Sequence, residues 1–234
     1  MFGYAVDETT LLQNHPELPA EARRGNDMDA QGVMPFEPDV TDWEAWRPEE
    51  VARRLAGVRA PWYIAGGWAI DLFLGKEHRK HEDIEIAAPQ ARFGEIVAAL
   101  PDLDFFVVGD GLAWPLNQAG DMFDAHFQTW ARDRGNGRWR LDVMREPADG
   151  DTWISRRDDR IRLPYAQLIA RTADGIPFGK PEVILLFKAK GSRPKDEDDF
   201  ATVLPRLDSR ARIWLRDALS LIHPDHHWIT ALQG

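Results

Sequence analysis

At 234 residues, with 44% hydrophobic and 29% charged residues, the chain has the length and composition of one ordinary globular domain, or of one domain with a small appendage. Its formal charge of -10 argues against nucleic acid as the main partner, because phosphate backbones attract basic surfaces, and favours a cationic or neutral small molecule. The lack of cysteine excludes disulfides, thiolate zinc sites and a cysteine nucleophile. We find neither a signal-peptide pattern nor an apolar run near the roughly 20 residues that span a bilayer, so we expect a cytoplasmic protein without membrane contact.

The first 40 residues show no sustained periodicity and are interrupted by Pro16, Pro19, Pro35 and Pro38. They predict an N-terminal extension with at most a short helix near residues 18–24. The simplest interpretation is a loosely held tail, and a lid or a dimer contact is the alternative. From Thr41 the pattern changes and predicts a helix that ends at Gly57.

The strongest signal in the chain begins with an apolar run, residues 62–65, that predicts a strand leading into Gly66 and Gly67. A short helix is predicted directly afterwards, from Trp68 to Leu74, and Gly75 ends it. Glycine lets the backbone come close to a ligand, and the first N–H groups of a helix attract anions. This junction is therefore a candidate phosphate site.

A second apolar run follows, interleaved with two acids. On a strand, Asp83 and Glu85 would share one face while Ile84 and Ile86 point into the core. Two adjacent carboxylates repel each other unless a cation lies between them, and Mg2+ prefers oxygen ligands that it often shares with phosphates. Together the two halves of the stretch predict a site for a metal-bound nucleotide.

The remainder of the chain alternates between strand and helix patterns. The elements predicted after the acidic strand are a helix from Pro89 to Leu100, strands at 105–108 and 112–116, a hairpin with arms 123–131 and 138–145, a short strand at 161–163, and helices that begin at Pro181 and Ser209. In the second hairpin arm Leu141 and Val143 share one face, and Asp142 lies on the other. An acid in the middle of a strand is disfavoured, so Asp142 either pairs with a nearby arginine at the surface or joins the acidic site.

Several other residues allow two interpretations each. Trp68 could pack in the core or form a wall of the pocket. Arg79 could belong to a solvated basic turn or contact a triphosphate. Lys188 lies in a helix that is apolar nearly all round, so its ammonium either extends to the surface or contacts a phosphate or carboxylate at the site. For the charged run at residues 193–200, the simplest interpretation is a solvated start of a helix, and the alternative is a run that ties the helical part to the site.

The ordered set of an apolar residue, Gly66-Gly67, a spacer, Asp83, Ile84, Glu85 and Ile86 resembles the signature of the nucleotidyltransferase superfamily. Within it, the segments GGWAIDLFLG and RKHEDIEI resemble the aminoglycoside 2''-adenylyltransferase and lincosamide nucleotidyltransferase branch. The resemblance is detailed for residues 62–86, looser for 87–200 and absent for 1–40. Glu85 departs from the aspartate that is usual in the 2''-adenylyltransferases.

This resemblance implies an α/β (α+β) nucleotidyltransferase fold, with a small mixed twisted sheet flanked by helices and a C-terminal helical part. We expect an extension at 1–40, a core at 41–175 and a helical region at 176–234. The implied site has Asp83 and Glu85 as Mg2+ ligands and Asp142 as a third catalytic carboxylate. Gly66, Gly67, Arg79 and Lys188 would contact ATP.

The function implied is transfer of a nucleoside monophosphate, most simply AMP from ATP, to a hydroxyl of an aminoglycoside-like or lincosamide-like molecule. Two alternatives remain open at the level of sequence. The acceptor could be a protein or tRNA, or the chain could be a nucleotide-binding module without turnover. The intact acidic trio argues against the silent module, and the acceptor rests on analogy alone.

Overall fold

The computed structural model describes residues 34–191 and 193–233. The predicted helix near residues 18–24 and most of the predicted extension lie outside this range. The described end of that extension lies against the sheet, where Phe36 and Ala113 exchange backbone hydrogen bonds of 3.1 and 2.8 Å. No helix in the described residues is long and apolar enough to cross a membrane.

Eleven strands are present in the described residues. They are β1 (Tyr63–Ile64), β2 (Glu85–Pro89), β3 (Leu103–Gly109), β4 (Leu112–Pro115), β5 (Gln128–Asp133), β6 (Trp139–Glu146), β7 (Ala148–Asp149), β8 (Thr152–Ile154), β9 (Arg162–Pro164), β10 (Ile169–Arg171) and β11 (Pro177–Gly179). Eight of them form one mixed sheet in the order β10-β11-β1-β2-β6-β5-β3-β4, and β7, β8 and β9 form a small second sheet.

Nine α-helices accompany the strands in the same part of the chain. They are α1 (Pro48–Arg54), α2 (Gly66–Leu74), α3 (Phe93–Ala99), α4 (Met122–Ala125), α5 (Tyr165–Leu168), α6 (Pro181–Lys188), α7 (Pro194–Val203), α8 (Ser209–Ile222) and α9 (Trp228–Ala231). The mixed sheet, the flanking helices and the run of helices after Gly179 confirm the predicted fold class. Strand β11 pairs with β1, so the sheet continues past the predicted boundary at residue 175.

The centre of the sheet sets the position of the site. Strand β2 is antiparallel to β1 and parallel to β6. Ile64, Ile84, Ile86, Leu141 and Val143 have no exposed surface, and α2 and α6 pack against each other over this core. Burying such side chains stabilises the fold by about 1.5–3 kcal/mol each, so the strands that carry the acids are held by the core beneath them.

Several predicted boundaries were wrong. Pro89 ends β2 instead of opening a helix, and α3 begins only at Phe93 after a 3-10 turn. The first hairpin arm begins at Gln128, because residues 122–125 form the short helix α4. The apolar Phe123 alone does not show which element it belongs to.

Candidate active site

The start of α2 is built around its two glycines. The helix begins at Gly66 and not at Trp68 as predicted, and Gly66 has a φ of 58° that favours glycine. A Cβ at Gly66 would overlap Oε2 of Glu85. A Cβ at Gly67 would overlap Nη2 of Arg79 and lie 2.6 Å from Cε1 of His81. The glycines therefore allow an acid and a cation to lie directly against the first turn of the helix.

The three predicted carboxylates come from adjoining parts of the sheet. Glu85 opens β2 and is the register partner of Asp142 on β6. Asp83 precedes β2, which corrects its predicted place within the strand. Its carbonyl accepts a 3.0 Å hydrogen bond from the indole of Trp68, and the backbone N–H of Asp142 donates to the carbonyl of Ile84 at 2.9 Å. The parallel pairing thus extends one residue before the strand and brings Asp142 beside the two acids.

Burial and the nearby charge of Glu85 raise the pKa values of Asp83 and Asp142. The pKa of Asp83 rises to about 7, mainly because of burial and then because of the charge of Glu85. The pKa of Asp142 is well above its usual range for the same two reasons, in the same order. Such a pair of raised pKa values is typical of functional carboxylates that share a site.

The site has the donor set that a hard cation requires. Asp142 is fully buried and accepts a 2.6 Å hydrogen bond from the amide of Gln128 on Oδ2, while Oδ1 has no hydrogen-bond partner among the described residues. In the same residues, no group of three or more acidic or histidine side chains could hold a metal ion by itself. Mg2+ usually takes one or two carboxylates and completes its shell with waters and substrate phosphates, so the pair Asp83 and Glu85 fits it.

Arg79 lies beside the start of α2, and its partner comes from α7. Its Nε and Nη2 donate to the two oxygens of Asp199 at 3.1 and 3.2 Å. Lys188 contacts the same carboxylate at 2.7 Å and Asp196 at 3.2 Å. Lys188 is therefore buried against carboxylates of α7 and does not extend to the surface. The structure brings Arg79 and Lys188 together through Asp199.

The charged run at residues 193–200 is partly buried, which contradicts its interpretation as a solvated helix start. Asp196 and Asp199 have no exposed surface, and their opposite charges come from Arg79, Lys188 and Arg193. Buried carboxylates are stable only with such partners. This run ties the helical region to the site.

Three further contributors were not found by sequence reasoning. Gln128 contacts Asp142 from the neighbouring strand. His81 stacks on Trp68 with ring centroids 4.4 Å apart, so Trp68 is both buried and next to the site. The charge of Lys195 lowers the pKa of Asp83, which limits the rise caused by burial. Of these three residues, only Gln128 could have been found from the sequence, because it lies on a strand with alternating apolar and polar residues.

The part of the chain that matches known proteins includes the residues of the site. The family model for aminoglycoside-2''-adenylyltransferase matches residues 49–154. A 2''-aminoglycoside nucleotidyltransferase of Klebsiella pneumoniae is 53% identical over 72 residues, which are 30% of this chain and 41% of that protein. The match thus spans less than half the length of this curated relative.

Two solved structures are similar over most of the chain. The solution structure of the antibiotic-resistance factor ANT(2'')-Ia has a TM-score of 0.50 at 18% identity and covers 80% of this chain and 97% of that one. The crystal structure of ANT(2'')-Ia in complex with adenylyl-2''-tobramycin has a TM-score of 0.50 at 16% identity. The match covers 74% of this chain and 94% of that one. The chain thus has the fold of these nucleotidyltransferases, and its sequence is similar to the aminoglycoside-2''-adenylyltransferase family over residues 49–154.

Proposed function

We propose that the protein is a metal-dependent nucleotidyltransferase that moves AMP from ATP to a hydroxyl group of an aminoglycoside-like or lincosamide-like molecule. The observation that carries the proposal is the register of Glu85 and Asp142 on neighbouring strands, with Asp83 directly before β2. Three acids in such a position are costly to bury unless a cation compensates their charge.

Each carboxylate has a separate part in this chemistry. Asp83 and Glu85 would hold Mg2+, which when bound neutralises charge on the nucleotide phosphates. Asp142 accepts the proton of the acceptor hydroxyl as that oxygen attacks the α-phosphorus. The bond between the α-phosphorus and the bridging oxygen breaks, and pyrophosphate leaves. A raised pKa makes the Asp142 carboxylate, once ionised, a stronger proton acceptor than an ordinary aspartate.

The nucleotide phosphates have two sources of positive charge in this site. The first N–H groups of α2 lie at Gly66 and Gly67, where a helix start favours an anion. The guanidinium of Arg79 lies next to Gly67, and Lys188 joins it through Asp199. This arrangement supports Gly66, Gly67, Arg79 and Lys188 as the ATP contacts of the reaction.

The acceptor is proposed from charge and from the relatives. The formal charge of -10 favours a polyamine sugar over tRNA, because a negative surface attracts cations and repels phosphate backbones. One similar structure is of an enzyme in complex with adenylyl-2''-tobramycin. Among the possible acceptors, we therefore expect an aminoglycoside to receive AMP.

The experiment that tests this function is a transfer assay with Mg2+ and ATP labelled at the α-phosphate. The acceptors are an aminoglycoside, a lincosamide, bulk tRNA and a protein mixture, each tested with and without EDTA. We expect label on the aminoglycoside or the lincosamide, only without EDTA. Label on tRNA or protein alone would replace the small-molecule acceptor, and transfer to none of the four would contradict the proposal.

A further inference from the structure

Asp199 on α7 is a fully buried carboxylate whose partners come from outside its own helix. Its Oδ1 contacts Nε2 of His78 at 2.7 Å and Nε of Arg79 at 3.1 Å, and its Oδ2 contacts Nη2 of Arg79 at 3.2 Å and Nζ of Lys188 at 2.7 Å. These three partners belong to the loop after α2 and to α6. One anion therefore gathers cationic side chains from two separate parts of the chain.

The contact with Arg79 fixes direction as well as distance. Two N–H groups of one guanidinium bind the two oxygens of one carboxylate, a planar arrangement that allows little rotation. Nη1 faces the carbonyl of Lys80 at 3.3 Å and the ring of His81 at 3.2 Å. The guanidinium is thus held against Gly67 at the first turn of α2.

His78 anchors this arrangement from the other side. Its Nδ1 contacts Oδ1 of Asp71 on α2, while its Nε2 contacts Asp199. Asp71 is also buried, and its Oδ2 contacts Nε2 of His81 at 2.6 Å. The chain of contacts from Asp71 through His78 to Asp199 therefore links α2 to α7 around Arg79.

We propose that Asp199 is a positioning residue for nucleotide binding, which orients Arg79 so that its guanidinium faces the phosphates at the start of α2. The proposal rests on the proposed function, because the ligand is the nucleotide of that reaction. Asp199 itself touches no phosphate. It acts through the guanidinium of Arg79, which would otherwise be free to turn away from Gly67.

Asp196 provides a matched control on the same helix. It is equally buried and also contacts Lys188, but its other partner is Arg193, at 2.7 and 3.3 Å, and it has no contact with Arg79 or His78 in the described residues. Removing its charge perturbs α7 and Lys188 to a similar degree and leaves the Arg79 contact intact. A purely structural role for Asp199 would make the two positions equivalent.

The test is calorimetric titration of MgATP into the wild-type protein and the variants Asp199→Asn, Asp196→Asn, Arg79→Gln and Arg79→Gln with Asp199→Asn. Asp199→Asn should raise the Kd for MgATP roughly tenfold or more, the scale of a charge-assisted hydrogen bond, and Asp196→Asn less than about threefold. In the Arg79→Gln background, Asp199→Asn should raise the Kd for MgATP by less than about a further twofold, because the effect of Asp199 passes through Arg79. With an acceptor present, KM for ATP should change more than kcat.

Equal Kd increases in the two aspartate variants, or additive effects of Asp199→Asn and Arg79→Gln, would overturn the proposal. Melting temperatures establish that each variant is folded. If Asp199→Asn does not fold, Asp199→Glu replaces it, since it keeps the charge but moves the carboxylate, and the same coupling with Arg79→Gln is required. If the wild-type protein binds MgATP but the variants show none of these differences in Kd, the positioning role of Asp199 alone is overturned. If the wild-type protein does not bind MgATP, the proposed function is overturned as well.

Discussion

Glu85 and Asp142 are register partners on the parallel strands β2 and β6, so two acids far apart in sequence lie side by side on one face of the sheet. With Asp83 directly before β2, they form the acidic end of the site. The opposite, cationic side comes from Arg79 and Lys188, both held by Asp199. Under the proposed function, the acidic end would hold the metal ion and the cationic side the phosphates.

Replacement of the predicted metal ligands should stop transfer without unfolding the protein. Asp83→Asn and Glu85→Gln each remove one charged oxygen at nearly constant volume, so we expect metal-dependent AMP transfer to fall below detection. The melting temperature should stay close to that of the wild-type protein, or rise, because a repulsion is removed. The exposed acid Asp104 on β3, replaced by Asn, is the control and should leave activity unchanged. Wild-type rates in either site variant would exclude that residue as a ligand.

Asp142→Asn should slow the chemical step more than it weakens ATP binding. A general base acts on the acceptor proton, and its loss costs roughly 10^2 to 10^4 in rate. Single-turnover rates and calorimetric ATP affinities separate the two effects. If the affinity for MgATP collapses while the single-turnover rate at saturation is preserved, Asp142 acts first as a metal ligand.

Gly67→Ala should impair the site although alanine is the better helix former. The new Cβ would overlap the Arg79 guanidinium and crowd His81, so the affinity for MgATP should fall. Gly94→Ala in α3 is the matched control, since nothing lies within 4 Å of its Cβ. There the substitution should stabilise the protein by about 0.5–1 kcal/mol and leave MgATP binding unchanged. Equal affinities in the two variants would show that Gly67 is not needed at the site.

Glu146 should make stability depend on pH. Burial raises its pKa to about 7 from the usual 4.5, and its carboxyl accepts a 2.7 Å hydrogen bond from Tyr63. Because the folded pKa is higher than the unfolded one, the stabilisation is complete below pH 4.5 and is lost as pH rises through about 7. The free energy of unfolding should fall by about 3 kcal/mol in total as Glu146 ionises.

Chemical unfolding between pH 4.5 and 8 measures this loss. Glu146→Gln, which keeps an oxygen for Tyr63, should make the profile less steep over that range, with the contribution of Asp83 remaining, whereas the exposed Glu49→Gln should leave the slope unchanged. Parallel profiles for wild-type protein and Glu146→Gln would show that Glu146 is not the group that titrates.

The local part of the site could be predicted from the sequence, because it depends on short-range patterns. Two glycines near a helix start and two acids in alternation with Ile84 and Ile86 are visible in 25 residues or fewer. The structure places them as expected, except that the helix begins at Gly66 and the strand at Glu85. That Asp142 joins the acidic site is favoured over a surface ion pair only with the help of the family resemblance, and its register with Glu85 is not predicted at all. Periodicity places Asp142 on a face but does not say which strand lies beside it.

Arg79 and Lys188 were candidates from the sequence, but the carboxylates that hold them could not be predicted, because those partners are distant in sequence. His78 and Arg79 meet Asp199 across about half of the chain. In sequence, a dense run of charges looks solvated, since nothing in it shows which carboxylates find cations in the folded protein. Asp196 and Asp199 are buried because Lys188, Arg79 and Arg193 compensate their charge.

The most direct test of nucleotidyl transfer compares two positions of the label in ATP, with tobramycin as acceptor and Mg2+ present. With label at the α-phosphate, the account predicts labelled tobramycin from the wild-type protein and almost none from Asp142→Asn. With label at the γ-phosphate, all radioactivity should leave as pyrophosphate and none should reach the antibiotic. Transfer of the γ-label to tobramycin would identify a kinase instead, and no transfer of either label to tobramycin or to a lincosamide would contradict the account.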